Sequence, residues 1–254
     1  MDQKRKTALI SVIGITAAIG LMVAAGFGIA RSVGSGVRRV MDPAPSRSER
    51  AFEAEESGSA EGSALLPFDF EALGSFDSIK TTGGWRVTIT GGERHDVDVT
   101  ASERALPDVE VFTSGDVLHL ELESGVRSVT GNLTATIVVP DLERLETDGG
   151  ADVTLRGLDL DKFSIDVDGA ASVRASDTRI QRLDINVDGA ASLNFAEARV
   201  VNARIDMDGA SSLDITMDGG ELSGEISGLG EVRYGGSVTN QSISVDGLGR
   251  VRER

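Results

Sequence analysis

Ile165-Asp166-Val167-Asp168-Gly169-Ala170-Ala171-Ser172-Val173 returns twenty residues later as Ile185-Asn186-Val187-Asp188-Gly189-Ala190-Ala191-Ser192-Leu193. It returns again as Ile205-Asp206-Met207-Asp208-Gly209-Ala210-Ser211-Ser212-Leu213. The glycine extends the series in both directions: Gly149, Gly169, Gly189 and Gly209 are spaced by twenty, and Gly228 and Gly247 follow at nineteen. A fixed period of this length is the mark of a repeat architecture. Four residues before the glycine stand Leu145, Ile165, Ile185, Ile205, Gly224 and Ile243, and two before it Thr147, Val167, Val187, Met207, Ile226 and Val245. Four residues after it come Val153, Val173, Leu193, Leu213, Val232 and Val251. Alternation at period two is the pattern of a strand with one buried face, here on both sides of a glycine turn. Segments such as Ser176-Asp177-Thr178-Arg179-Ile180 are too short and too polar for a crossover helix, so consecutive coils must stack strand on strand. The expected fold is all-β, a parallel β-helix or solenoid of ~20-residue coils.

Other repeat classes fit less well. Ile180-Gln181-Arg182-Leu183-Asp184-Ile185 imitates the opening of a leucine-rich repeat, but the asparagine ladder position is absent in consistent register and no coil has a helical stretch. Calcium-binding nonapeptide repeats need a nine-residue period that the chain lacks. The composition agrees with many short strands and tight turns: among 254 residues there are 31 glycines, and aromatics make up 4%. A formal charge of −16 disfavours nucleic acid and anionic lipid as partners of the folded part and suits cations or basic surfaces. The absence of cysteine excludes disulfides, thiolate metal sites and cysteine nucleophiles.

Residues 1–30 read as an N-terminal signal anchor. Thr7 to Ala30 is an uncharged apolar run that reaches roughly 36 Å as a helix, enough for a bilayer core of about 30 Å. Lys4, Arg5 and Lys6 precede it, so the positive-inside rule predicts a single pass of the bacterial inner membrane with the C-terminal domain in the periplasm or outside the cell. Gly28-Ile29-Ala30 would suit a signal peptidase, but the apolar run exceeds the ~7–15 residues of a cleaved signal. Residues 31–66, with Pro43, Pro45 and the run Glu53 to Gly62, read as a flexible linker. Residues 67–254 read as the head domain, with 141–254 the regular repeats. Residues 67–140 lack the period but hold strand-like runs over Trp85–Thr90, Asp96–Thr100, Val109–Phe112, Val117–Leu122 and Leu133–Val139, expected to be irregular starting coils that cap the core.

Three stretches carry a family resemblance: Phe76-Asp77-Ser78-Ile79 with Trp85-Arg86-Val87-Thr88-Ile89, then Ala135-Thr136-Ile137-Val138-Val139-Pro140-Asp141-Leu142, then the repeated Ile-x-Val-Asp-Gly-Ala-Ala-Ser coils. Over about Phe76 to Val251 the chain resembles the putative auto-transporter adhesin, head GIN domain family of bacterial envelopes. The resemblance implies a right-handed β-helical domain behind a signal or anchor. It implies no catalytic residue set.

The acidic residues of the repeat are the candidate site. Asp148, Asp168, Asp188, Asp208 and Asp246 precede the turn glycine, and Glu146, Asp166, Asp206 and Glu225 lie two positions earlier, so both sets share outward parity. An aspartate before glycine also suits an Asx-turn bonded to its own backbone, which needs no ligand. The functional alternative makes Asp166, Asp168, Asp188, Asp206 and Asp208 a binding ladder for a basic partner or for Ca²⁺, which prefers several oxygen ligands. No cofactor is otherwise expected. His95 and His119 have no plausible nucleophile beside them, and Trp85 reads as packing of the first coil. The expected function is a non-catalytic, membrane-anchored envelope module whose partner is an unknown envelope protein or glycan, not nucleic acid. A self-associating scaffold is the alternative. A polysaccharide-acting enzyme fits less well, because the regular coils have no long insertions to wall a groove.

Overall fold

The computed structural model describes residues 63–65, 73–102, 105–122 and 133–254. The described residues lie within one compact unit, Gly58–Arg254. They are all-β, with a single 3-10 turn at Leu106–Asp108. Twelve strands form one sheet: β1 (Ser63–Leu65), β2 (Ser78–Gly91), β3 (Asp96–Ser102), β4 (Val109–Ser114), β5 (Val117–Leu122), β6 (Leu133–Val139), β7 (Arg144–Arg156), β8 (Asp159–Leu160), β9 (Phe163–Asp218), β10 (Glu221–Ser237), β11 (Asn240–Gly247) and β12 (Arg250–Glu253). The apolar run at 7–30 lies outside the described residues, and among those described no helix is long and apolar enough to cross a membrane.

From β7 onward the pairing is parallel and follows the repeat. Gly149 of β7 lies beside Gly169 of β9, and Gly228 of β10 lies beside Gly209 on one side and Gly247 of β11 on the other. β9 is a 56-residue hydrogen-bonded run that turns back alongside itself. Asn186 Nδ2 donates to Asp166 Oδ1 at 2.8 Å, and Thr216 Oγ1 to the Ala196 carbonyl at 2.7 Å, each across one period of twenty. The turn glycines allow the return because Gly169, Gly189 and Gly209 hold φ of 116°, 129° and 109°. A Cβ on Gly189 or Gly209 would stand 2.3 or 2.2 Å from the carbonyl oxygen of the glycine one turn earlier. Only glycine combines this φ with this approach.

The inward columns are those the alternation predicts through β10 but not at the edge strand β11. There Val245 is 38% exposed and Ile243 only partly buried, because no further strand covers them among the described residues. Leu145, Ile165, Ile185 and Ile205 are buried, as are Val153, Val173, Leu193 and Leu213, each contributing roughly 1.5–3 kcal/mol. Gly224 interrupts the first column, because a Cβ there would meet the Ile205 carbonyl at 1.8 Å. Trp85 is buried and donates from Nε1 to the Thr82 carbonyl at 3.1 Å.

Two features depart from expectation. β2 is a full repeat: Ile79, Thr81, Gly83, Gly84 and Val87 align in register with Leu145, Thr147, Gly149, Gly150 and Val153 of β7. It lies out of period because β3 to β6 are inserted after it, and β5 and β6 return to pair with it in parallel. The sheet is also mixed rather than wholly parallel. β3 pairs antiparallel with β6, β4 with β5 and β1 with β3, and Val97, Val99 and Ala101 of β3 are buried. Short reversals between Ser114 and Val117 leave no room for a full turn of twenty residues, so the chain pairs back on itself.

Candidate functional site

The strand alternation that buries Ile165 and Val167 turns Asp166 and Asp168 to the opposite side, and the parallel register repeats that choice on each strand. One outward row runs Lys80, Glu146, Asp166, Asn186, Asp206 and Glu225. A second runs Thr82, Asp148, Asp168, Asp188, Asp208, Ser227 and Asp246. The rows border an open groove of about 570 Å³ that brings together all five predicted ladder residues, Asp166, Asp168, Asp188, Asp206 and Asp208, with Arg144 beside them.

The two rows differ electrostatically. In the first, Lys80 Nζ meets Glu146 Oε1 at 2.5 Å, and this hydrogen bond, reinforced by the charges of Glu146, Asp148 and Glu121, raises the Lys80 pKa above its ordinary value. Arg144 Nε lies 3.8 Å from Asp166 Oδ2, while Asn186 and Ser164 donate to the same carboxylate. In the second row Asp148, Asp168, Asp188 and Asp208 are exposed and, among the described residues, accept no hydrogen bond; Asp148 lies within the field of Lys80, whereas Asp168, Asp188 and Asp208 have no ion-pair partner. The expected Asx-turns are therefore not formed, because the glycine φ of 105–129° closes the corner without the side chain.

Four further residues join this face. β5 pairs in parallel with β2, which sets His119 beside Lys80 and Glu121 beside Thr82. The antiparallel β4 then adds Phe112 beside His119 and Glu110 beside Glu121. Phe112 is 38% exposed and stacks on His119 at 4.6 Å and 3°, and His119 Nδ1 lies 3.1 Å from Glu121 Oε1. Alternation within Val117–Leu122 marks His119 and Glu121 as outward. No sequence signal aligns β5 with β2, since their register crosses the insertion. His95 lies elsewhere, near a second hollow lined by Glu93, Arg94 and Asp96, with Nε2 2.7 Å from the Phe76 carbonyl.

The chemistry available on the acidic face is charge recognition. Among the described residues no group of three or more His, Asp or Glu side chains converges where a metal ion could sit. The rows run side by side, and each strand adds one carboxylate to a row.

The family model for the putative auto-transporter adhesin, head GIN domain matches residues 75–216. No curated protein matches the chain. Among solved structures, a putative adhesin from Bacteroides fragilis superposes with a TM-score of 0.59 at 16% identity, covering 77% of this chain and 98% of its own. A putative adhesin from Parabacteroides merdae gives a TM-score of 0.42 at 17% identity, covering 76% and 95%. A putative lipid binding protein from Parabacteroides distasonis gives 0.43 at 14%, covering 76% and 96%.

Proposed function

This chain belongs to the putative auto-transporter adhesin, head GIN domain family, and we propose that it is a non-catalytic binding module of the bacterial cell envelope that docks a basic partner on its acidic face. The head is read as a parallel β-helical solenoid, supported by the in-register glycines and by the contacts of β9 with itself one period apart. The apolar run at 7–30 is read as the single membrane anchor and the stretch expected as a linker at 31–66 as the tether that holds the head off the membrane, shortened at its end because Ser63–Leu65 pairs with β3.

One observation carries the reading: Asp168, Asp188 and Asp208 stand exposed in a single row with no ion-pair partner among the described residues. Adjacent strands are about 4.8 Å apart, so neighbouring carboxylates repel by roughly 1 kcal/mol in water. A partner that brings cations to this row relieves that repulsion, which gives electrostatic selectivity and a fast encounter. An envelope protein or glycan with spaced positive groups fits better than a chelated ion, because the carboxylates do not converge.

The test is binding of the full chain to isolated envelopes, compared with a triple variant Asp168→Asn, Asp188→Asn, Asp208→Asn of equal thermal stability. The expected result is a loss of at least tenfold in affinity, about 1.4 kcal/mol, and a wild-type affinity that falls with salt. Equal binding by the two proteins would overturn the acidic face as the docking surface.

A further inference from the structure

The charge of −16 is not spread evenly over the head. Beyond the glycine corner the chain runs along a second set of outward rows, and these are rich in arginine. In the row beside the corner Arg86 pairs in register with Asp152, and Glu231 with Arg250. The next row holds Arg174, Asp214, Arg233 and Arg252, and the last holds Arg156 and Arg254. Seven arginines thus face three carboxylates, with Asp177 and Glu197 on the turn beyond.

Contacts within this face leave most of its donors free. Arg250 and Arg252 both reach Glu231 Oε1 at 3.2 Å, Arg233 and Arg254 reach Asp214 at 3.9 and 3.3 Å, and Arg174 reaches Asp152 at 3.0 Å. The side chains of Arg174, Arg233, Arg250 and Arg252 nevertheless remain 51–61% exposed. A guanidinium carries five N–H donors, and one or two contacts leave the others for an outside acceptor.

We propose that this basic face docks the aspartate row of a second copy of the same chain, so that heads associate side by side. The inference rests on the reading of the Asp168 row as a docking surface and names its partner. Two properties favour a second copy over an unrelated acidic partner. The faces are opposite in charge, and both advance one strand per step along the same stack. Carboxylates recur one strand apart, about 4.8 Å, and the guanidiniums stand on strands of the same stack, Arg233 and Arg252 on neighbours and Arg174 farther along, so their separations are multiples of that spacing. An acidic face on a basic face is a heterologous contact, which leaves one free face of each sign and lets a row of heads grow.

The test is sedimentation velocity of the full chain in density-matched non-ionic detergent, at rising concentration, in low salt and in molar salt. One variant carries Asp168→Asn, Asp188→Asn and Asp208→Asn; another carries Arg174→Gln, Arg233→Gln and Arg252→Gln; thermal melting confirms that both fold. The wild type is expected to grow in mass with concentration in low salt and to return to the smallest species in molar salt. Each variant alone stays at that species, and their equimolar mixture forms a 1:1 complex that grows no further. A wild type that never associates, a mixture that forms no complex, or a basic face that binds heparin while the heads stay apart overturns the proposal. If envelope binding still fails in the aspartate variant in that event, the acidic face remains a docking surface for some other partner.

Discussion

At the residue scale, neighbouring glycines do unequal work. Gly189 has a φ of 129° and sits where a Cβ would meet the Gly169 carbonyl at 2.3 Å, whereas a Cβ on Gly150 meets nothing nearer than 3.9 Å. The sequence marks the same contrast, since Gly150 aligns with Ala170, Ala190 and Ala210 while the turn position is glycine in every coil. Strain at such a φ costs about 1–3 kcal/mol before any clash. Gly189→Ala is therefore expected to lose more than about 2 kcal/mol in urea unfolding and Gly150→Ala less than about 0.5 kcal/mol. Equal losses would mean that backbone approach does not set the period. Residue identity also revealed the outward parity of Asp166, Asp168, Asp188, Asp206 and Asp208, because strand alternation is a local property. It could not reveal that Lys80 and Arg144 reach Glu146 and Asp166 of the first row while Asp168, Asp188 and Asp208 of the second have no such partner, since those contacts depend on register and rotamer.

At the scale of elements, β12 is held to β10 by backbone pairing and by charge. Arg250 donates to Glu231, and this hydrogen bond, with the charges of Arg250, Arg252 and Arg233, lowers the Glu231 pKa below its ordinary value of 4.5. A depressed folded pKa means that the stabilising contribution is complete above the unfolded value and disappears as pH falls through the lower folded one. The amides of Arg250 to Glu253 are thus expected to stay ordered by ¹⁵N relaxation at any pH above 4.5 and to loosen as the pH falls below it. Glu231→Gln should loosen them at every pH. Order that persists unchanged to pH 3 would sever β12 from this ion pair. Elements were recovered unevenly by sequence reading. Val117–Leu122 and Leu133–Val139 were bounded as observed, because both are short alternating runs. The repeat in β2 was missed although Gly83-Gly84 carries the same flanking pattern, because the insertion breaks the spacing on which the series rests.

At the scale of the whole molecule, the parallel register turns local alternation into two long faces of opposite charge. Each strand adds one carboxylate to a row, and among the described residues no three acidic side chains converge. Calcium at millimolar concentration is accordingly expected to leave the melting temperature within about 1 °C of that in chelator; a rise of several degrees would mean that the acidic rows hold the ion, by the linkage of binding to stability. The exposed Leu248 and Leu229 continue the corner column of Ala170, Ala190 and Ala210, so the corner between the two faces becomes apolar toward β11.

The sequence by itself determined the all-β class, the period, the inward columns and the outward acidic parity. These follow from steric rules that act within a few residues, namely alternation at two and a glycine where φ must be positive. Only the tertiary structure decided that β2 is a repeat, that antiparallel strands interrupt the parallel order, that Phe112 and His119 head the acidic face, and that the arginines gather on a face of their own. Each of these is set by which strand lies beside which, and the hydrogen bonds that choose a neighbouring strand are backbone bonds, indifferent to the side chains that a sequence displays.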